Sequence, residues 1–256
     1  MFTASDLEAA SRIVYAAMPP TPQFAWPLLA AAAGYEVWVK HENHTPIGAF
    51  KVRGGLTLID ALRRREPGVR AVMSATRGNH GQSIAFAAAR HGLAATIVVP
   101  HGNSVEKNAA MRALGAELIE HGHDFQAARE HAAQLAAERG LHFVPSFQRD
   151  LVLGVATCWV EFFRAVQPDV VFVPIGLGSG ISACVMARAL TGVTTRIVGV
   201  VSAQAPAYLE SFRAGRVIEA AVTTRLADGM ACRVPEAQAL ELMKREVDDV
   251  IAISDD

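Results

Sequence analysis

The chain has 256 residues, 51% hydrophobic and 19% charged, with a formal net charge of -1. That is enough apolar material for the core of one large domain or two small ones, and the charge gives no bulk electrostatic reason to bind nucleic acid or an anionic membrane. The longest apolar stretches, Pro27 to Ala33 and Val170 to Ile175, fall far short of the ~20 residues that span a bilayer.

Toward the amino terminus, Asp6, Glu8 and Arg12 interrupt any signal-peptide core. The run from Lys40 to Gly55 follows. Within it Thr45, Pro46 and Gly48 make a tight polar turn, and Leu56, Leu58, Ile59 and Leu62 follow at helical spacing, which places Lys51 in the first turn of a helix. A cation there faces the positive end of the helix dipole, and partial burial beside Phe50 disfavours its charge further. A lysine kept partly neutral is a nucleophile suited to an aldehyde. The same turn also fits a solvated lysine at a loop-to-helix junction.

From residue 71 onward short β-branched runs alternate with longer Ala-rich amphipathic runs. Strands are predicted at Ala71–Thr76, Ala95–Val99, Glu117–Glu120, His142–Val144, Val170–Ile175 and Arg196–Ser202. Helices are predicted at Asn79–Arg90, Ser104–Leu114, Phe125–Arg139, Val152–Val166, Gly180–Leu190 and Ala207–Ala214. This alternation predicts an α/β fold with parallel sheets covered by helices on both faces. Turn chemistry at Arg65-Glu66-Pro67-Gly68 and at Pro145-Ser146 delimits a central unit of about 70 to 145. Ligands in such folds bind beyond the carboxyl ends of strands, and two polar loops, after Thr76 and after Ile175, fall there.

In the second loop, Gly176-Leu177-Gly178-Ser179-Gly180 follows a buried-type strand and opens a helix, so its amides can converge on an anion. A dinucleotide fingerprint fits poorly: the last spacing is wrong, and the next strand ends at Ser202 without an acid for a ribose. A tight turn packed for steric reasons is the plain alternative. In the first loop, Gly78 precedes Asn79 and His80. Free amides from Thr76 to His80 could bind a carboxylate, and Asn79 reads equally as an ordinary N-cap.

Four segments carry a resemblance when taken together: Gly48-Ala49-Phe50-Lys51-Val52-Arg53-Gly54, Ser74-Ala75-Thr76-Arg77-Gly78-Asn79-His80-Gly81-Gln82, Pro174 to Gly180, and Ala227-Asp228-Gly229-Met230. In this order they resemble the threonine and serine dehydratase branch of the fold-type II pyridoxal-phosphate enzymes, over about Pro19 to Asp256. The resemblance implies two three-layer α/β/α domains with mostly parallel sheets. Residues 1–67 and 146–256 would form a large cofactor-binding domain, and 68–145 a small mobile one. It implies pyridoxal 5'-phosphate on Lys51 as a Schiff base, beside Phe50, with Asn79 on the ring oxygen and the phosphate on Gly176, Leu177, Gly178, Ser179 and Gly180. Thr76, Gly78, Asn79 and His80 would hold the substrate carboxylate. The implied reaction is β-elimination of L-threonine or L-serine to a 2-keto acid and ammonia, with the cofactor phosphate protonating the leaving hydroxyl. The implied assembly is a homodimer, and no nucleic-acid or membrane partner is expected.

Departures from the family pattern qualify this. Serine racemases carry a serine before Gly-Asn-His as the acid on the second face; Arg77 stands here, which argues against efficient racemisation. Val200 to Ala207 contains no carboxylate where some relatives hold a divalent cation. His121-Gly122-His123 and the pair His41 and His44 lack a third ligand at a recognisable spacing and read as surface histidines, so no metal is expected. Asp248-Asp249 reads as a solvated turn. Cys158, Cys184 and Cys232 are widely separated and read as buried thiols of a reduced compartment, which with the absence of a leader suggests the cytoplasm. The chain stops at Ile251-Ala252-Ile253-Ser254-Asp255-Asp256, a short strand and helix-capping residues with no helix after them. The expectation is a chain lacking the last part of the large domain, including the partner of the pyridine nitrogen. Two rival functions follow: a racemase or dehydratase of another β-hydroxy amino acid, and a catalytically incompetent binder of the cofactor or of an amino acid.

Overall fold

Residues 2–256 are described by the computed structural model, and their strands fall into three sheets. An antiparallel pair, β1 (Gln23–Ala25) and β2 (Trp38–Lys40), comes first. Strands β3 (Ala71–Ala75), β4 (Ala94–Val99), β5 (Glu117–Glu120) and β6 (His142–Phe143) form a parallel sheet in the order β5-β4-β3-β6. Strands β7 (Val170–Pro174), β8 (Arg196–Ser202) and β9 (Asp249–Ile253) form another in the order β7-β8-β9. The helices are α1 (Ala4–Tyr15), α2 (Pro27–Ala33), α3 (Lys51–Arg65), α4 (Asn79–Arg90), α5 (Val105–Ala113), α6 (Phe125–Arg139), α7 (Arg149–Ala165), α8 (Ser179–Thr191), α9 (Ala207–Ala214) and α10 (Ala237–Glu246). Short 3-10 turns lie at Glu42–His44 and Asp228–Met230.

The larger parallel sheet draws all its strands from 68–145 and the smaller one from 146–256, and one core cluster joins Val52, Leu56 and Ile59 of α3 to Val72, Ile84 and Ile97. No helix among the described residues is long and apolar enough to cross a membrane. Alternation of β-branched and Ala-rich runs predicts α4, α6, α9, β5 and β8 with the bounds observed. Helix α6 shows why: Ala128, Ala132 and Ala136 recur at helical spacing and bury against Met73, Ala75 and Val98 of the sheet.

Two readings need correction. Helix α7 begins at Arg149 rather than Val152, because Asp150 is drawn inward by Arg65 at 2.7 Å while its carbonyl accepts the Thr57 hydroxyl at 2.7 Å. Asp248 is no solvated turn: its carboxylate accepts the Ile197 amide at 2.8 Å and faces Arg188 at 3.6 Å, fastening β8 to the entry of β9. Helices α1, α2 and α10 lie outside the predicted set. Helix α1 carries a reciprocal cap, with the Thr3 hydroxyl accepting the Asp6 amide at 3.1 Å and Asp6 accepting the Thr3 amide at 2.9 Å.

Helix α3 is wedged between α4 and α7, and glycine makes the wedge possible. A Cβ on Gly55 would lie 2.2 Å from Ser83 Oγ, and one on Gly54 2.7 Å from the Leu151 carbonyl oxygen. A Cβ on Gly154, facing from α7, would lie 2.2 Å from the Arg53 carbonyl oxygen and 2.2 Å from Thr57 Oγ1. Two turns of backbone therefore touch without side chains between them, and Arg53 seals the crossing. Its guanidinium, 0% exposed, donates to Glu42 at 2.8 and 2.9 Å, to Glu161 at 2.5 and 3.0 Å and to Thr157 at 3.0 Å. Lys40 adds a contact to Glu161 at 2.7 Å, so two cations face two carboxylates.

Gly154→Ala should force these helices apart at a cost of roughly 3 kcal/mol, the upper end for overpacking. The melting midpoint should fall by about 5–10 °C. Gly68→Ala, where an added Cβ meets nothing within 4 Å, serves as the neutral control in the same calorimetric comparison; equal midpoints for the two variants would contradict the wedge.

Candidate active site

Lys51 opens α3 after Phe50 at the N-cap, a cap without a side-chain hydrogen bond. Its side chain is half-buried, its amine lies 5.0 Å from the Phe50 ring centroid, and desolvation by the surrounding protein pulls its pKa from 10.5 to about 8. The Ser83 hydroxyl donates to the Lys51 carbonyl at 2.6 Å and fixes the backbone beneath it. Lys51 faces a cleft lined by Thr76, Arg77, Gly78, Asn79, His80, Lys107, Phe125, Ser146, Gly176, Leu177, Asp228, Gly229, Ala231 and Cys232.

The loop after β3 is built around one hydroxyl. Thr76 Oγ accepts the amides of Gly78 at 2.9 Å and Gly81 at 3.2 Å, and the Thr76 amide is spent on Val98. Two of the amides expected to be free are thus already bonded. Those of Arg77, Asn79 and His80 have no acceptor among the described residues. Asn79 is the first helical residue and Gly78 takes the N-cap position, so the N-cap reading of Asn79 gives way. His80 is buried and packs its Nε2 against Ser74 Oγ at 3.0 Å. Ser74 donates its single proton to the Val144 carbonyl at 2.8 Å, so His80 Nε2 carries the proton in their bond. Burial and the nearby Lys51 charge lower the His80 pKa to about 3, leaving the ring neutral at pH 7.

The loop after β7 turns at Gly178, whose φ is +100°. A Cβ on Gly176 would lie 2.3 Å from the Gly229 carbonyl oxygen, and one on Gly178 2.6 Å from Ala239 Cβ. Buried Tyr208 braces the turn, donating to the Leu177 carbonyl at 2.9 Å and accepting the Glu236 amide at 3.1 Å. The amides of Leu177, Gly178, Ser179 and Gly180 have no acceptor among the described residues, and buried Ser182 Oγ lacks a partner as well. Orphaned amides at a helix N-terminus, in a turn too tight for a Cβ, fit a phosphate.

The structure gathers Lys51, Thr76, Gly78, Asn79, His80, Gly176 and Leu177 on the cleft, and Gly178 and Ser179 continue the same turn from its edge. Phe50 and Gly180 meet edge to edge, an added Gly180 Cβ lying 3.3 Å from the ring, and both line a separate apolar groove of about 760 Å3 between β2 and β7. That groove is larger, yet neither orphaned-amide loop lines it beyond Gly180. Sequence reasoning missed Ser83, Ser182, Tyr208 and Lys107. Lys107 from α5 reaches across the cleft to pair with Asp228, and Arg233 pairs with Asp124 at 3.0 Å nearby. Elsewhere, His121 stacks on His131 at 3.7 Å, and a carboxylate beside Ser202 comes from Asp255, which accepts from Ser202, Thr224 and the amides of Arg225 and Leu226.

The family of pyridoxal-phosphate-dependent enzymes matches residues 14–256. The chain belongs to that family. It is 34% identical to L-threonine ammonia-lyase of Geobacter sulfurreducens over 226 residues, covering 87% of this chain and 56% of that protein. With L-threonine ammonia-lyase of Thermotoga maritima it shares 33% over 258 residues, 64% of that protein. The chain therefore spans somewhat over half the length of these two relatives. L-threo-3-hydroxyaspartate ammonia-lyase of Saccharomyces cerevisiae is 30% identical over 257 residues, covering 99% of this chain and 78% of that protein. Threonine deaminase isoform 2 of Solanum lycopersicum superposes with a TM-score of 0.87 at 25% identity, over 99% of this chain and 76% of that one. The fold is that of the fold-type II pyridoxal-phosphate enzymes.

In the protein freed of cofactor, Lys51 should react with a small aldehyde with a midpoint near its pKa of about 8 rather than 10.5. Its folded pKa is lowered, so burying the charge costs stability in full below about 8, and the cost fades as pH rises toward the unfolded 10.5. Lys51→Met should accordingly be more stable than the parent at pH 7, with the gap closing above pH 8 in denaturant melts; a gap independent of pH would contradict the lowered pKa.

Proposed function

We propose that this protein is a pyridoxal-phosphate-dependent ammonia-lyase acting on β-hydroxy amino acids, with L-threonine or L-serine as the first substrates to test. The observation that carries the reading is a desolvated, readily deprotonated amine at Lys51 set in a cleft between two loops of orphaned backbone amides. When bound, pyridoxal phosphate supplies an aldehyde for that amine and a conjugated ring that withdraws electrons from the substrate Cα. The protein contributes the rest. The amides of Leu177, Gly178, Ser179 and Gly180 and the hydroxyl of Ser179 would hold the phosphate, and Phe50 would wall the ring from the apolar groove. The amides of Arg77, Asn79 and His80 would hold the substrate carboxylate, with the Thr76 hydroxyl beside them, and the Asn79 side chain would be the partner of the ring oxygen.

Lys51 Nζ then has two tasks: nucleophile toward the aldehyde, and base for the Cα proton once displaced by the substrate amine. A pKa near 8 suits both at neutral pH, because the charged and neutral forms stay within reach of each other. His80, neutral, keeps its proton on Ser74 and adds no charge to repel the ammonium. The Lys107–Asp228 contact bridges the cleft on its partly exposed side. A racemase needs a second acid on the far face, and Arg77 with its guanidinium is a poor proton donor there. The names of the relatives point to threonine and to L-threo-3-hydroxyaspartate, both β-hydroxy amino acids.

Borohydride reduction of the holoenzyme, followed by peptide mapping, decides among the lysines Lys40, Lys51, Lys107 and Lys244. The label should fall on Lys51, and Lys51→Ala should lose it together with several orders of magnitude in keto-acid release from L-threonine. A label on Lys107 would overturn the assignment.

A further inference from the structure

Arg77 is an unanswered charge. It lines the cleft beside Lys51, its Nε is buried without a hydrogen-bond partner, and its side chain makes neither an ion pair nor a hydrogen bond among the described residues. The other permanent cation of the cleft, Lys107, is already neutralised by Asp228. Arg77 is half-buried, with only its Nε shut off from water, so its terminal nitrogens face the cleft and can take an anion that arrives with the ligand. The proposed function brings two anions, and each has a cradle of its own: the phosphate on the glycine turn, the α-carboxylate on the amides of Arg77, Asn79 and His80. The fork of Arg77 is left for a third.

We infer that Arg77 is a specificity-determining residue that selects β-hydroxy amino acids bearing an anionic group on the side chain, with a carboxylate at Cβ as the simplest case. This rests on the proposed β-elimination and narrows its substrate class. With L-threo-3-hydroxyaspartate the Cα proton and the Cβ hydroxyl leave as water, one water returns on hydrolysis, and the net products are oxaloacetate and ammonia. Arg77 takes no part in those bonds; it holds the distal carboxylate. A bidentate guanidinium–carboxylate pair in the cleft should give about a 10-fold preference or more.

The test is a titration of the holoenzyme with L-aspartate and with L-alanine, which lack a leaving hydroxyl, followed by cofactor absorbance. Kinetics on L-threo-3-hydroxyaspartate and L-threonine accompany it. The parent should bind L-aspartate at least ~10-fold more tightly than L-alanine. Arg77→Gln should abolish that preference by weakening L-aspartate more than L-alanine and raise KM for L-threo-3-hydroxyaspartate more than KM for L-threonine, while Arg77→Lys restores part of the preference. A parent that binds both ligands alike overturns the inference, whether or not the variants fold. Equal weakening of both ligands in Arg77→Gln also overturns it, since Arg77 would then belong to the α-carboxylate cradle. Failure of the parent to release keto acid from any hydroxy amino acid defeats the elimination reading instead, and the aspartate–alanine comparison still decides the role of Arg77.

Discussion

The buried guanidinium of Arg53 is the constraint on which the site rests. It lies two residues beyond Lys51 on α3 and joins that helix to the Glu42–His44 turn through Glu42 and to α7 through Glu161 and Thr157. Burial alone would raise the Glu161 pKa, but hydrogen bonding and charge from Arg53 more than offset it and hold the carboxyl below its ordinary range. Burial likewise opposes the charge of Arg53, and the two glutamates overcome it. Buried ion pairs of this kind add little net stability, yet losing one partner leaves the other stranded at about 3–5 kcal/mol. Their value lies in geometry: three separate segments must dock together, or none docks well. The start of α3, and with it the reactive amine, is placed by that docking.

The cleft is bridged by charges of a different sort. Lys107 and Asp124 stand on the side of the larger sheet, and Asp228 and Arg233 on the segment that follows α9. Both contacts are partly exposed, so salt and water weaken them readily. The Arg53 side of the site is therefore buried and neutral overall, and the bridge across the cleft is made by pairs that break at little cost. Such a division lets ligands enter without disturbing Lys51.

Local periodicity made much of the α/β frame legible: Ala128, Ala132 and Ala136 announce α6 with no knowledge of its partners. Lys51 in the first helical turn and the glycine turn after β7 were readable for the same reason, since each is written in a few consecutive residues. The start of α7 was not, because Asp150 is recruited by Arg65, far away in sequence. Helix α1 could have been found from Thr3 and Asp6, the two ends of its reciprocal cap. No sequence signal pairs Lys107 with Asp228, or Tyr208 with the Leu177 carbonyl; those contacts exist only once the chain is folded. Arg77 was visible as the absence of a serine, but the lack of any partner for it is a property of its surroundings.

The glycine contacts around α3 bear on how this sequence can drift. At Gly54 and Gly154 the obstructing atoms are mainly backbone, which has no rotamer to turn aside. A larger residue at either place can be tolerated only by sliding a helix, and no neighbouring side-chain replacement makes room for it. Sliding α3 carries Lys51 with it. Substitution far along the helix is thus policed by the position of one nitrogen at its beginning, and compensating changes would have to arrive as shifts of whole helices rather than as pairs of residues.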